Sequence, residues 1–308
     1  MISSKCCICF TTDAGFLLPT LVSAIQARAN SSRALADVLI FCFGSDVETY
    51  RKFASICAAE RIQLVAVDPD QIEHAEIVYA RLFLHRFVPA EYSELLFMDG
   101  DLQIRGDLDP LIEQVLPPGH FCAAADPMYF NPPSGPGPRA TVEHISSKLT
   151  YFNAGVLRIN RIGWAEVSEQ AFTYSTLTRP ELCPFKDQDG LNFIAKSRHI
   201  PISMKWNFPI FMRNCCVERN VKPRIYHFMS HPKPWQGNFP PWNRSFTLPY
   251  LAVAKKYPWL TSHNARPALG FQIRYAFQQR YKQMAETVTW GMGSKRKWIL
   301  DYEAAMVL

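Results

Sequence analysis

From Lys5 to Thr12 the chain is a short, mostly apolar, β-prone run that stops at Asp13, and from about Phe16 to Ala29 apolar residues recur at helical spacing. The alternation continues along the first half. Further strands are predicted at Asp37–Cys42, Ile62–Val67, Glu94–Met98 and Phe121–Ala125, with helical patterns between them. Runs as uniformly apolar as Val38-Leu39-Ile40-Phe41-Cys42 suit parallel strands covered on both faces. The rhythm therefore predicts an α/β fold, a mixed but mainly parallel sheet with helices on both sides. Ligands of such sheets bind beyond the carboxyl ends of the strands. Two strands end in acids at that edge: Asp13 after the first, and Asp99 with Asp101 after the fourth.

The segment Asn131–Arg139 holds Pro132, Pro133, Gly135, Pro136, Gly137 and Pro138, so it reads as a loop or flap. From Pro201 onward the pattern loosens into a mixed region expected to pack on the first half. The tail from Phe271 to Leu308 looks helical. It combines Arg274, Arg280, Lys282, Lys295, Arg296 and Lys297 with Phe277, Tyr281, Trp290 and Trp298. That mixture suits an interfacial helix on anionic lipid, and equally a solvated helix on the domain. The expected division is a catalytic domain at 1–265 and a basic helical extension at 266–308.

A chain of 308 residues with 48% hydrophobic content can bury one large core. No window approaches the roughly 18 apolar residues of a membrane-spanning helix. The apolar stretch near Lys5 is too short for a secretion-signal core, so the expected location is cytoplasmic, peripheral on the inner face of the cytoplasmic membrane. Nine cysteines without paired C-x-x-C clusters read as buried free thiols rather than a disulfide or zinc scaffold. The net charge of +6 hides an asymmetry: Pro201–Leu308 carries 16 bases against 4 acids, and the first 200 residues carry 17 against 23. The C-terminal third is thus suited to an anionic partner.

In Leu95-Leu96-Phe97-Met98-Asp99-Gly100-Asp101-Leu102 a hydrophobic strand runs into two carboxylates at i and i+2, positions that share a face in extended chain. Gly100 between them lets the backbone turn close to a bound group. Two hard oxygen ligands suit Mg²⁺ or Mn²⁺ holding a diphosphate; the plainer alternative is an acid-rich turn. A nicotinamide-binding turn is excluded, because the residues after the first strand are Asp13-Ala14-Gly15-Phe16 instead of Gly-x-Gly-x-x-Gly. A phosphate-binding Gly-Lys-Ser/Thr is absent. A non-enzymatic protein docking nucleic acid or another anionic surface would leave Asp99, Asp101 and Asp187 without a purpose, and no nucleic-acid partner is expected.

Six segments, in order, resemble glycosyltransferase family 8, which includes bacterial lipopolysaccharide α-galactosyl- and α-glucosyltransferases and glycogenin. They are Phe10–Asp13, Tyr79–Leu82, Leu96–Ile104, Tyr151–Asn160, Asp187–Asn192 and His227–Trp235. The resemblance implies a single Rossmann-like nucleotide-sugar-binding domain of the GT-A type. It implies a retaining transferase that moves a hexose from UDP-galactose or UDP-glucose to a glycan or glycolipid acceptor such as a lipopolysaccharide core, dependent on Mn²⁺ with Mg²⁺ as the alternative.

By the same resemblance, Asp99, Asp101 and His227 would bind the metal. His231 competes, but alignment on Lys233-Pro234-Trp235 favours His227. Lys233 would reach the diphosphate as a point charge on the leaving group. Thr11, Asp13 and Phe16 would lie at the nucleoside, Arg81 and Gly100 along the donor, and Asn153 and Asp187 at the hydroxyls of the transferred sugar. Gln188 would stand nearest the position of a nucleophile. An amide oxygen is a poor one, so front-face displacement is the preferred path. Asp126 would orient the acceptor or cap its strand. The chain departs from the family's pattern at Ser230, where glycine is common. An inverting transferase of another family would instead need Asp187, Asp189 or Asp126 as base.

Overall fold

The computed structural model describes residues 5–127, 151–195, 197–263 and 267–306. The segment Asn131–Arg139 lies outside them, as does the expected domain boundary at 265/266. The strands are β1 (Cys6–Thr12), β2 (Ala36–Phe43), β3 (Gln63–Val67), β4 (Glu94–Met98), β5 (Leu102–Ile104), β6 (Phe121–Ala124), β7 (Val156–Asn160), β8 (His199–Ile202), β9 (Phe208–Pro209) and β10 (Ile225–His227). Five of them, β1 to β4 and β6, are the runs expected from hydrophobic pattern. Together with β7 and β8 they build a seven-stranded sheet in the order β3-β2-β1-β4-β7-β6-β8. Neighbours are parallel except at β7, which runs antiparallel to both β4 and β6.

The longer helices are α1 (Leu17–Ala29), α2 (Val47–Ala59), α3 (Trp164–Thr173), α4 (Asp187–Ile194), α5 (Arg244–Lys256), α6 (Leu269–Thr289) and α7 (Ser294–Ala305). Each face of the main sheet carries its own core. Leu17, Leu21 and Val22 of α1 pack on Ile8, Ile40 and Leu96 on one side. Trp164 and Leu191 of α3 and α4 pack with Phe97, Phe121 and Leu157 on the other. This double covering is why β2 is buried almost throughout and reads as an unbroken apolar run.

A second, three-stranded sheet has the order β5-β10-β9. β10 pairs antiparallel with β5, which places His227 opposite Leu102. Because β5 begins one residue after Asp101, this pairing brings a histidine from far along the chain to the acidic turn.

The tail is two helices, α6 and α7, and part of it is core. Ile299 and Tyr302 of α7 are buried with Phe208, Phe228 and Phe246. The Tyr302 hydroxyl donates to Ile202 O at 2.7 Å, and Glu303 accepts from Met204 N at 2.7 Å. On α6, Glu286 accepts from Asn214 at 2.7 Å. Of the two readings of the tail, packing on the domain describes α7: Lys295 is buried with its ammonium 3.8 Å from the Trp290 ring centre, and Trp298 packs against the C-terminal core. Bases and aromatics at these positions serve packing. Eight cysteines are buried and free as expected, and Cys216 is exposed.

Candidate functional site

Asp99 directly follows β4 and Asp101 directly precedes β5, so the two acids stand where the main sheet hands the chain to the smaller one. His227 Nε2 lies 3.2 Å from Asp101 Oδ1 and 3.7 Å from Asp99 Oδ2. One ligand atom from each of the three falls within 4.8 Å of the others. His231 is exposed and stands apart from the group. The backbone makes room for this cluster at Gly155: a Cβ there would lie 2.3 Å from His227 Cε1 and 2.8 Å from Asp99 Oδ2. The donor set of one imidazole nitrogen and two carboxylates fits Mn²⁺ better than Mg²⁺.

Two cations flank the acids. Lys233 Nζ sits 2.7 Å from Asp101 Oδ2 and also donates to Phe228 O. Arg81, on a 3₁₀ turn at Ile77–Phe83, reaches Asp99 Oδ1 at 3.0 Å and Asp187 Oδ2 at 2.8 Å, and donates to Ala154 O. It is buried, so this is not a solvent-screened surface ion pair. Burial works to raise the Asp101 pKa, but Lys233 and His227 outweigh it and hold the carboxyl well below its ordinary range. Asp99 is pushed up by burial, with Arg81 pulling against it. Burial also raises Asp187 to about 6 despite Arg81.

Three adjoining cavities of about 260, 310 and 360 Å³ run along the sheet edge. Thr11, Asp13, Phe16, Gly100 and Asp101 line the first. The second shares Arg81 and Asp99 with it and adds Asn153, Asp187 and Gln188. Gln188 continues into the third, which also holds Asp126, Phe211 and, from α6, Gln279, Lys282 and Glu286. The residues anticipated at the nucleoside and the sugar therefore line these cavities, while Lys233 reaches them only through its contact with Asp101.

Individual contacts refine the assignments. Asp13 caps the short 3₁₀ turn Ala14–Phe16 through Gly15 N at 2.9 Å. Phe16 meets Trp235 edge-to-face at 5.4 Å and is half-buried at the cavity wall. Gly100 is a glycine for packing as well as ligand approach, since a Cβ there would lie 2.4 Å from Thr20 Oγ1. The Gln188 amide oxygen accepts from Ala154 N at 3.0 Å, so its electrons are directed into the backbone. Asp189 is sealed away, accepting from Tyr151 OH and Phe185 N at 2.6 Å each. Asn153 donates to Asp126 Oδ2 at 3.1 Å.

Sequence reasoning missed Asn207, which is buried between His227 and Asn153. One signal was available. An amide between the large apolar residues Trp206 and Phe208 is costly to bury unless it is paired on both sides.

The model of "Glycosyl transferase family 8" matches residues 7–238. The chain is 22% identical over 293 residues to the lipopolysaccharide glucosyltransferase WaaO of Escherichia coli K12, covering 90% of this chain and 85% of that one. It is 24% identical to the lipopolysaccharide 1,3-galactosyltransferase of Salmonella typhimurium LT2, covering 90% and 86%. Among solved structures it resembles the galactosyltransferase LgtC in complex with donor and acceptor sugar analogs, with a TM-score of 0.64, 20% identity and coverage of 80% and 95%.

Proposed function

Because the chain belongs to glycosyl transferase family 8, we propose that it is a retaining hexosyltransferase that moves galactose or glucose from its UDP-sugar to the glycan of a glycolipid such as a lipopolysaccharide core. It is a glycosyltransferase with a GT-A type α/β fold. The observation that carries the finer reading is the meeting of Asp99, Asp101 and His227 beneath a groove flanked by Lys233 and Arg81. The acceptor is argued from the two lipopolysaccharide transferases that align over most of their length.

Asp99, Asp101 and His227 would hold Mn²⁺, whose charge neutralises a bound diphosphate. The chain's own residues do the rest. Thr11, Asp13 and Phe16 hold the nucleoside end of the groove, and Asn153 and Asp187 fix the sugar over Gln188. The acceptor hydroxyl attacks the anomeric carbon from the leaving-group side. The bond to the phosphate oxygen breaks, its electron pair stays on that oxygen, and the oxygen takes the hydroxyl proton. Lys233 stabilises the charge that develops there. Front-face transfer is favoured by the state of the other candidates. Asp189 is sealed, Asp187 is tied to Arg81, the Gln188 oxygen is committed to Ala154 N–H, and Asp126 accepts from the amides of Asn153 and Gln188, so each candidate base or nucleophile already has a partner.

Within the extension at 266–308, α6 alone is read as a membrane-facing device. At about 100° per residue, Leu269, Ile273, Phe277, Tyr281, Met284 and Val288 fall on one face of α6, and Gln279, Lys282, Glu286 and Trp290 on the opposite one. The first face is exposed, with Phe277 at 74% and Met284 at 72%, and Arg274 and Arg280 flank it. The second lines the third cavity. A helix lying at an anionic bilayer on one face would present the other to a glycan rooted in that bilayer. No described helix is long and apolar enough to cross a membrane; what supports a peripheral position on the inner face of the cytoplasmic membrane is the exposed apolar face of α6 together with the proposed glycolipid acceptor.

The deciding experiment is a panel of UDP-sugars with Mn²⁺, scored for hydrolysis, for protection against thermal unfolding and for the anomeric configuration of the product. UDP-galactose or UDP-glucose should be cleaved with retention. Inversion would transfer the role to Asp126 or Asp187 as base, and indifference to every UDP-sugar would end the reading.

A further inference from the structure

Two side-chain amides, one backbone N–H and one carboxylate fix that Nδ1 of His227 carries a hydrogen. Asn153 Oδ1 lies 2.9 Å from Gly155 N, which can only donate, and Asn153 Nδ2 lies 3.1 Å from the Asp126 carboxylate, which accepts. The orientation of Asn153 is therefore settled by partners that have no choice of role. The Asn207 atom 2.8 Å from Asn153 Oδ1 must then be its amide nitrogen. That leaves Asn207 Oδ1 facing His227 Nδ1 at 2.9 Å, so Nδ1 must carry a hydrogen and donate. The consequence falls on the other nitrogen: with Nδ1 committed to Asn207, Nε2 is the nitrogen turned towards Asp99 and Asp101, and it is the one whose lone pair a cation between them would take up.

From this geometry we infer that Asn207 is a positioning residue of the transferase. It holds His227 in the metal-binding tautomer and, through its amide nitrogen, ties that histidine to Asn153 at the sugar. Asn207 is 1% exposed and its two ends touch the two halves of the groove, one at the cation cluster and one at the residue facing the transferred hexose. The two functions separate chemically. The oxygen serves the metal side and the nitrogen serves the sugar side, so substitutions that keep one end and remove the other should split the effects.

The inference rests on the metal role proposed for His227, and the test keeps the two apart. Mn²⁺ binding is measured by calorimetry and by the loss of the free-ion paramagnetic resonance signal, and the His227 tautomer is read by ¹⁵N NMR of the metal-free protein. Asn207→Ala should weaken Mn²⁺ binding about 10- to 100-fold and remove the Nδ1–H signature. Asn207→Asp keeps an acceptor for Nδ1–H but places a carboxylate against Asn153 Oδ1. It should therefore retain Mn²⁺ binding within a few-fold while raising the KM for the UDP-sugar about tenfold. If Asn207→Ala does not fold, Asn207→Asp carries the test through this split. An unaltered tautomer in Asn207→Ala, or equal losses on both sides in Asn207→Asp, overturns the inference. Failure of the unsubstituted chain to bind Mn²⁺ while the tautomer responds to Asn207→Ala would overturn the metal role instead and leave the hydrogen-bond assignment standing.

Discussion

Lys233 Nζ and Asp101 Oδ2 are 2.7 Å apart, so the lysine assigned to the diphosphate also neutralises one of the carboxylates assigned to the metal. Both side chains are nearly buried, at 10% and 12% exposure. A bound cation and diphosphate would supply each with a new partner, and the ion pair fills the same electrostatic need until then.

Removing the lysine should consequently affect the empty protein as well as turnover. Lys233→Met leaves a buried carboxylate facing only His227, a loss of about 3 kcal/mol in chemical denaturation, and lowers kcat about 100-fold through loss of charge at the leaving group. Urea titration of the metal-free chain and steady-state kinetics check the two halves. A variant as stable as the parent would show that the pair is not a stabilising contact.

Gly155→Ala tests the space around the metal cluster. Its Cβ would overlap His227 and Asp99, and Asp99 N donates to Gly155 O at 2.9 Å, so the strand cannot retreat without losing that bond. Mn²⁺ binding measured by calorimetry should fall at least tenfold, the order seen when the support of a ligand is lost. Unchanged affinity would mean that the imidazole has somewhere else to go.

A pH dependence follows from His199, whose ring lies against Phe121 and Phe152 and whose pKa burial lowers from 6.5 to about 4. The unfolded chain takes up this proton more readily than the folded one. The stability conferred by the neutral ring is thus complete above pH 6.5 and is lost as the pH falls towards 4. The ceiling is about 3 kcal/mol, reduced by the partial exposure of the ring. Thermal unfolding between pH 7 and pH 4 should therefore be steeper in the parent than in His199→Phe, and parallel curves would remove His199 from the account.

Membrane docking by α6 is best tested without deleting the tail, because Ile299, Tyr302 and Glu303 are part of the domain's packing. The triple substitution Phe277→Ser, Tyr281→Ser, Met284→Ser touches only exposed positions. Sedimentation with phosphatidylglycerol vesicles should drop about tenfold or more, given the apolar area removed, while the thermal midpoint stays put. Undiminished sedimentation would make α6 a solvated helix.

Of the five strands that the hydrophobic pattern revealed, β1, β2, β4 and β6 are buried almost throughout, where nearly every position must be apolar, and β3 is a half-exposed edge strand; β7 is buried throughout but was hidden by its Arg158 and Asn160. β5, β9 and β10 escaped because two- and three-residue strands have no period to detect. They are nonetheless what carry His227 to the acids. The individual motifs at Asp99, Asn153, Asp187 and Lys233 were legible because each pairs a polar side chain with a demanding neighbour. The seating of Arg81 between two carboxylates was not legible, since a lone arginine on a short helical turn gives no sign of burial. In the tail, composition alone could not separate the faces of α6 from the buried face of α7, and so Trp298 and Lys295 were grouped with residues that point the other way.

The turn from β4 to β5 has a mechanical corollary. Asp99 is anchored to the larger sheet through Gly155 O, whereas Asp101 O accepts from Phe228 N at 3.1 Å and so travels with His227 on the smaller one. Sliding along the seam between the two sheets would stretch the 3.7 Å separation of Asp99 and His227 and leave the 3.2 Å separation of Asp101 and His227 nearly constant. An ion held by all three residues would act as a rivet across that seam, and its departure would loosen the joint on one side only.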